Sequence, residues 1–486
     1  MRHLSFSIIC IVIASIPVSA QPPDTLWTRT FGGISHEWIG NAQLTNDGGL
    51  IITGETRLLD SESMDLWLFK TDSRGNEEWS QTFGGNQNDQ GNCVQQTSDG
   101  GYIIVGRTLS FGAGSNDYWV IKTDSVGSEE WNRTFGGTEN EYGKCIQQTN
   151  DGGYIISGFT QSFGAGSHDI WLIKTDSIGN EEWNQTFGEN YADRGAFVQQ
   201  TNDGGYVVAG FTNSFGAGEF DTWLVKTDSS GNEEWNQTFG GTENDWCSYV
   251  QQTDDGGYII TGMTGTSNSG IEDLWLIKTD STGTEEWSRT FGGDEYQEGY
   301  SVQQTTDGGY IITGFTNSFG AGSADMWLIK TDSIGIEEWS QTFGGTAFDY
   351  GKSVQQTNDG GYIVTGVTQS FGAGAADVWV IRLDNEENEI IESTMSSPTD
   401  YLLDEVYPNP FNSTTTISVG LPTSSKLKLS VYNITGQEIA ILTNKRYSVG
   451  YHQLTFNADD LSSGIYFINA SVPGKMNEVR KVVLMR

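Results

Sequence analysis

The sequence predicts an all-β chain in which one four-stranded unit recurs, followed by a smaller β-module. Three observations predict it. Gly is abundant (63) and Pro scarce (8) over 486 residues, which suits tight turns between short strands. Two tryptophan series, Trp27 to Trp339 and Trp67 to Trp379, each return every 52 residues with no insertion or deletion, the signature of a repeat architecture. Between the tryptophans lie runs such as YIISG and IWLIK, apolar on both faces, as expected of sheets covered by neighbours on both sides.

The first element, residues 1–20, reads MRHLSFSIICIVIASIPVSA: a basic start at Arg2, an apolar stretch from Ile8 to Ile16, and small residues before the cleavage point at Ala20. This is the pattern of a secretory signal peptide, so the mature chain is expected to start near Gln21. Cys10 lacks the small residues that precede a lipidated cysteine. No later stretch approaches the ~18 apolar residues of a membrane span, so no transmembrane segment is expected in the mature chain. Export implies an oxidising compartment, yet Cys93 and Cys145 hold the same position in successive repeats. Such points are expected to lie beyond the ~4.4–6.8 Å Cα spacing of a disulfide.

Next comes the repeat, residues 21–384. The copy from Trp131 to Glu182 resolves into GKCIQQT, YIISGFT and DIWLIKTD, with EEWNQTF of the next copy as a fourth strand. NDGG and DSIGN place Gly where hairpins need positive φ. Four antiparallel strands per ~50-residue unit describe a propeller blade, and seven copies predict a seven-bladed β-propeller. The chain enters at DTLWTRTF, a fourth strand with no preceding three, and the last copy ends at DVWVIRLD without one. The N-terminal strand is therefore expected to complete the last blade and close the ring. An open solenoid would leave two exposed sheet edges. The pattern TFGG, DGGYIIxGxT, DxWLIKTDSxGxEEW resembles the repeat of secreted bacterial β-propeller proteins, which implies a fold and no activity.

An acidic, Ser/Thr-rich linker, residues 385–403, leads to residues 404–486, where acids and bases nearly balance. The runs TTTISVGL, KLKLSVYNI, YHQLTF, GIYFINAS and VRKVVLM predict a small immunoglobulin-like β-sandwich. VYPNPFN, VYNITGQEI, LSSGIYF and RKVVLMR resemble the type A C-terminal sorting domain of the type IX secretion system. Tyr407, Pro408, Asn409, Pro410, Phe411, Gly436, Gly464, Tyr466 and Lys481 carry the likeness. It implies a chain of the Bacteroidota or a related phylum that meets the type IX machinery and crosses the outer membrane. The module would then be removed, with the protein released or attached to surface lipopolysaccharide, so the expected location is secreted or on the outer cell surface.

Charge narrows the function classes. With 25 Lys plus Arg against 63 Asp plus Glu, the net charge is −38, which disfavours nucleic acid and anionic membranes as partners. Three Asp columns, starting at Asp47, Asp65 and Asp72, are filled in all seven copies. That identity predicts turn stabilisation, with Ca²⁺ ligation as the alternative and no other cofactor implied. The loops joining blades differ most. They supply rim candidates for a glycan or protein ligand: the acids Glu37, Asp89, Glu141, Asp193, Asp245 and Asp349, with the aromatics Trp38, Tyr142, Trp246 and Tyr350. The competing expectation has the aromatics covering blade joints and the acids solvated. Catalysis has little support: outside the leader the only histidines are His36, His168 and His452, and no nucleophile elbow or metal-spaced His pair occurs. The expected role is a secreted binding or structural module, the alternative an extracellular carbohydrate-active enzyme or lectin that uses the rim.

Overall fold

The computed structural model describes residues 21–57, 63–265, 272–385 and most of 398–484, the exceptions being 399, 408, 410, 412, 413, 448, 459 and 460. The predicted signal peptide and most of the linker lie outside the described residues. The chain divides into two compact units, residues 1–386 and 387–486. The second unit's first strand begins at Leu402, two residues before the boundary read from composition.

The first unit is a β-propeller. Its described residues form seven four-stranded antiparallel sheets. In six of them the strands follow chain order, as in Glu141–Gln148, Tyr154–Thr160, Asp169–Thr175 and Glu181–Phe187. In the seventh, Thr25–Phe31 pairs antiparallel with Asp377–Leu383, so the start of the propeller completes its last sheet. In six sheets the first strand, and in the seventh Asp349–Gln356, is innermost and packs beside those of its two neighbours, with Trp38–Leu44 against Asp349–Gln356 closing the ring.

A girdle of side chains binds the inner strands together. Gln147 Oε1 accepts from Gln200 N at 2.6 Å. The same bond joins Gln43 to Gln96, Gln95 to Gln148, Gln199 to Gln252, Gln251 to Gln304 and Gln303 to Gln356. Gln355 returns to Leu44 N at 2.8 Å. Each of these seven glutamines thus satisfies a backbone donor that the inner sheet edge leaves unpaired.

Both Asp-bearing hairpins sit where the repeat predicts. Asp151 Oδ1 accepts from Thr149 Oγ1 at 2.5 Å and Gly153 N at 2.9 Å, while Gly152 adopts φ +86°. Asp176 Oδ1 accepts from Ile178 N and Asn180 N. Between the hairpins a buried lysine bridges acids of both: Lys174 Nζ lies 2.9 Å from Asp151 and 2.9 Å from Glu182. Lys70, Lys122, Lys226, Lys278 and Lys330 repeat it. In the seventh sheet Leu26 stands where the others carry the second Glu, and Arg382 instead grips Asp359 with both oxygens at 2.6 Å.

The second unit packs Leu402–Tyr407, Thr414–Leu421 and Gly450–Asn457 as one sheet and Glu438–Tyr447, Ser425–Asn433, Gly464–Val472 and Met476–Leu484 as another. Their core includes Leu403, Ile417, Leu427, Phe456 and Val482. Two of these seven strands, Leu402–Tyr407 and Glu438–Tyr447, go beyond the five runs read from sequence. The second has a mixed, largely exposed pattern, with no clean alternation to mark it.

Candidate functional site

The inner strands open at one end of the ring into a cavity of about 580 Å³. Strand direction decides what faces it. Each inner strand runs from this mouth to the NDGG-type hairpin, and the chain then alternates, so both Asp-bearing hairpins lie at the opposite end. The mouth is framed instead by the SFGAG loops and the TFGG loops that join successive sheets.

The acids Glu37, Asp89, Glu141, Asp193, Asp245 and Asp349 do not face the mouth. They are at most 2% exposed and hold the two loops together. Glu141 accepts from Gly137 N at 2.9 Å, Thr160 Oγ1 at 2.9 Å and Ser162 N at 3.1 Å. Asp349 accepts from Gly345 N and Ser370 Oγ. This corrects their reading as rim ligands and, equally, as solvated acids. In a strand, successive side chains point to opposite faces, so burying the acid turns the next residue toward the channel. Each buried acid also adjoins an Asp of the second column. Asp117 is pushed up by burial and by Glu141, against bonds from Gly114 and Ala113, and its Oδ1 has no hydrogen-bond partner among the described residues. In one sheet Gln297 replaces the acid.

The aromatics do reach the mouth. Trp38, Trp246 and Tyr350 line it, joined by Phe159, Phe211 and Tyr300. Tyr142 lines the adjoining recess with Arg107 and His168. Trp246 stacks on Phe211 (centroids 5.1 Å, 13°), and Tyr142 on Phe159 (4.8 Å, 26°).

Sequence reasoning missed the cations among them. Arg194 Cζ lies 5.1 Å over Phe159, Arg107 Cζ 5.1 Å over Tyr142, and Lys352 Nζ 4.5 Å over Tyr300. Lys144 also lines the cavity. Burial, then the charges of Lys352, Arg107 and Arg194, push Lys144 down to about 8. Burial likewise lowers Lys352, against Glu298. The propeller's ion pairs among the described residues all belong to the hairpin lysines and Arg382; these four cations hold none. Two carboxylates share the region. Burial raises Glu55 against the charge of Arg107, and raises Glu298 against a bond from Tyr296, the charge of Lys352 and bonds from Tyr300 and Ser248. His168 is lowered by burial and by Arg194, which it meets at 3.4 Å.

Deeper in the channel Cys93 and Cys145 are free thiols with sulfurs 3.7 Å apart. Phe197 and Tyr249 lie beside them (centroids 4.0 Å). Among the described residues no group of three or more His, Cys, Asp or Glu is placed to hold a metal ion. The first-hairpin Asp oxygens are committed to lysine, threonine and backbone donors.

In the second unit Asn409, Phe411, Gly464, Tyr466 and Lys481 meet at the last strand. Asn409 Nδ2 donates to Lys481 O at 2.8 Å, its Oδ1 accepts from Val483 N at 2.9 Å, and Phe411 N donates to Val483 O at 2.9 Å. Phe411 is buried 5.8 Å from Phe456. Gly436 takes φ +82° in a hairpin turn, and Tyr466 Oη donates to Ser462 O, two residues before Gly464, at 2.7 Å. Pro408 and Pro410 lie outside the described residues. Residues 405–485 match the family described as a secretion system C-terminal sorting domain. The C-terminal module is a secretion sorting domain. It implies export through the type IX system to the cell surface or extracellular space, and so an encounter with that machinery. No helix among the described residues is long and apolar enough to cross a membrane.

No curated protein matches the chain. Among solved structures it is similar to the Pan2 WD40 domain of Neurospora crassa (11% identity, 75% of this chain and 97% of that one, TM-score 0.48). It is also similar to a fungal alcohol oxidase of the AA5 family (10%, 96% and 100%, TM-score 0.46) and to the β-propeller domain of the Trilobed protease of Pyrococcus furiosus (9%, 72% and 94%, TM-score 0.41).

Proposed function

We propose that this protein is an exported binding module whose propeller takes a saccharide at the channel mouth. One observation supports it above the rest: where the inner strands of the seven copies differ, the differences gather toward the mouth. The column Trp38, Gln90, Tyr142, Arg194, Trp246, Glu298, Tyr350 and the column Gly40, Asn92, Lys144, Ala196, Ser248, Tyr300, Lys352 share no residue across all copies. The QQ, DGG and DxW columns are nearly constant. A scaffold needs the same contacts seven times, whereas a ligand without seven-fold symmetry needs seven different ones. Flat aromatic faces beside side-chain amides suit sugar rings and their hydroxyls, in a concave site of ordinary small-molecule size.

The test is a glycan-binding screen of the secreted protein with and without Ca²⁺, run beside a hydrolysis assay on the same glycans. Binding without turnover supports the module. Product formation overturns the non-enzyme reading and directs attention to Glu55 and Glu298. Silence in both leaves a structural role for the propeller, and binding that requires Ca²⁺ would assign a cation to its acids.

A further inference from the structure

Resting on that reading of the mouth, we propose that its ligand is an anionic saccharide, held by its acidic group between Lys144, Arg194, Arg107 and Lys352 while a ring face lies on the aromatic wall. In a chain of net charge −38, four cations converge on one cavity and its recess and none has an ion-pair partner among the described residues. Elsewhere in the propeller the recurring buried lysines each sit between two carboxylates. The lysines of the mouth depart from the rule the hairpin lysines follow.

Like charges gathered in a confined cavity repel one another, and Lys144 is lowered first by burial and then by the charges of Lys352, Arg107 and Arg194. Their placement is costly in the empty protein and turns favourable when an anion arrives. The two local carboxylates offset only part of the excess: Glu298, held by Tyr296 Oη at 2.7 Å and Tyr300 Oη at 3.2 Å, acts on Lys352, and Glu55 on Arg107, without forming an ion pair with either, so two acids stand against four cations. The hairpin acids that dominate the net charge lie at the opposite end of the ring, each first-hairpin Asp already facing a lysine or Arg382. They do not neutralise the mouth.

A bare inorganic anion would leave the walls unused. Trp246 stacked on Phe211, and Trp38 beside Tyr350 at 6.1 Å, offer apolar planes to the C–H face of a pyranose. Gln90 and Asn92 reach the same cavity with hydroxyl-bonding amides. Arg and Lys together accept either a carboxylate or a sulfate ester, and these two sources are separated by experiment.

The measurement is isothermal titration of the secreted protein with a galacturonate trisaccharide, its fully methyl-esterified form, and a sulfated galactose trisaccharide. The acid is expected to bind at least tenfold more tightly than its neutral ester, and Lys144→Met combined with Lys352→Met to remove that preference. Tighter binding of the sulfated sugar assigns a sulfate ester in place of a carboxylate and keeps the inference. Thermal melting checks that the variants fold. Should the double variant not fold, Arg107→Gln, a change on a half-buried residue of the recess, is read instead for a loss of at least threefold in the acid-over-ester preference. Equal affinity for acid and ester overturns the anionic inference while the saccharide site stands. No binding by acidic or neutral sugars overturns the site itself and the inference with it.

Discussion

The lysine bridge is where the sequence commits most heavily to a contact repeated for stability, and Lys174→Met tests it. Lys174 is 3% exposed, and its Nζ donates at 2.9 Å to Asp151, Glu182 and Thr175 O. Charged hydrogen bonds contribute ~1.5–3 kcal/mol each, but burying an ammonium costs several kcal/mol. The carboxylate acceptors are 60% and 47% exposed, so water replaces much of what the lysine gave them. The net expectation for Lys174→Met, which keeps the stem, is a loss of about 1–2 kcal/mol. Lys174→Ala also removes three methylenes at ~0.8 kcal/mol each, for a total of about 4 kcal/mol. Urea unfolding at pH 7, followed by tryptophan fluorescence, measures both. A second signature comes from Asp151. Partial burial pushes it up, yet bonds from Thr149, Lys174 and Gly153 outweigh this and hold it at about 2. A lowered carboxylate contributes stability above its unfolded value of ~3.9, lost as pH falls toward 2. The gap between wild type and Lys174→Met should therefore be full at pH 6 and narrow by pH 2.5. A Met variant as stable as wild type at pH 7, or a gap unchanged in acid, would refute the reasoning.

Other outcomes follow from the same contacts. Asp117→Asn should stabilise the propeller at pH 8 by about 0.5–1.5 kcal/mol, since the introduced amide can donate to Glu141. Because Asp117 is raised, its favourable contribution is complete only below ~3.9 and is lost as pH rises, so the gain should vanish in acid melts. Gly152→Ala meets nothing within 4 Å and pays only for its φ of +86°, about 1–2 kcal/mol. Gly179→Ala would also drive its Cβ to 2.6 Å from Trp131, and chemical denaturation should show the larger loss. Mild oxidation should link Cys93 to Cys145, read as the loss of two hydrogens by peptide mass spectrometry; two free thiols after oxidant exposure would contradict it. Intact mass of the secreted form should end within the linker, and a mature surface protein that retains Arg486 would count against removal of the sorting domain.

Much of this architecture was legible because each repeat states its own turns. Gly152 and Gly179 fall where hairpins need positive φ, and Thr25–Phe31 has the composition of an outer strand without partners. The site was less legible. The rim acids and aromatics are adjacent in sequence and read as one unit, yet strand alternation sends Glu141 into the blade joint and Tyr142 to the channel. Lys144 and Lys352 stand two residues further along the same strands, where a column-by-column comparison of the copies exposes them as departures from Gly, Ala and Ser. Arg107 departs in the same way from its own column, Glu55, Phe159, Phe211, Met263, Phe315 and Val367, but that column lies on the neighbouring strand, and the register of Gln90 against Arg107 brings it to the recess. The 3.7 Å approach of Cys93 and Cys145 was hidden for a related reason: inner strands converge on the axis, so equivalent residues of successive blades come far closer there than at the periphery.

Repetition also separates what the fold requires from what a ligand would require. Mutating a residue copied in all seven blades, such as a girdle glutamine, should cost stability wherever it is made. Gln251 accepts from Gln304 N at 2.7 Å, so Gln251→Leu leaves that amide unpaired, for about 1–2 kcal/mol, and hydrogen exchange should accelerate at Gln304 first. Mutating an unrepeated mouth residue should do the reverse. Trp246→Ala removes a ring that packs mainly on Phe211 and Phe220, at the open end of the channel and away from the sheet core, so it should weaken saccharide binding more than it lowers the melting temperature. If the two variants exchanged these effects, with Gln251→Leu silent in exchange and Trp246→Ala unfolding the ring, the division between copied scaffold and divergent mouth would fail, and with it the ground for locating a ligand at the channel.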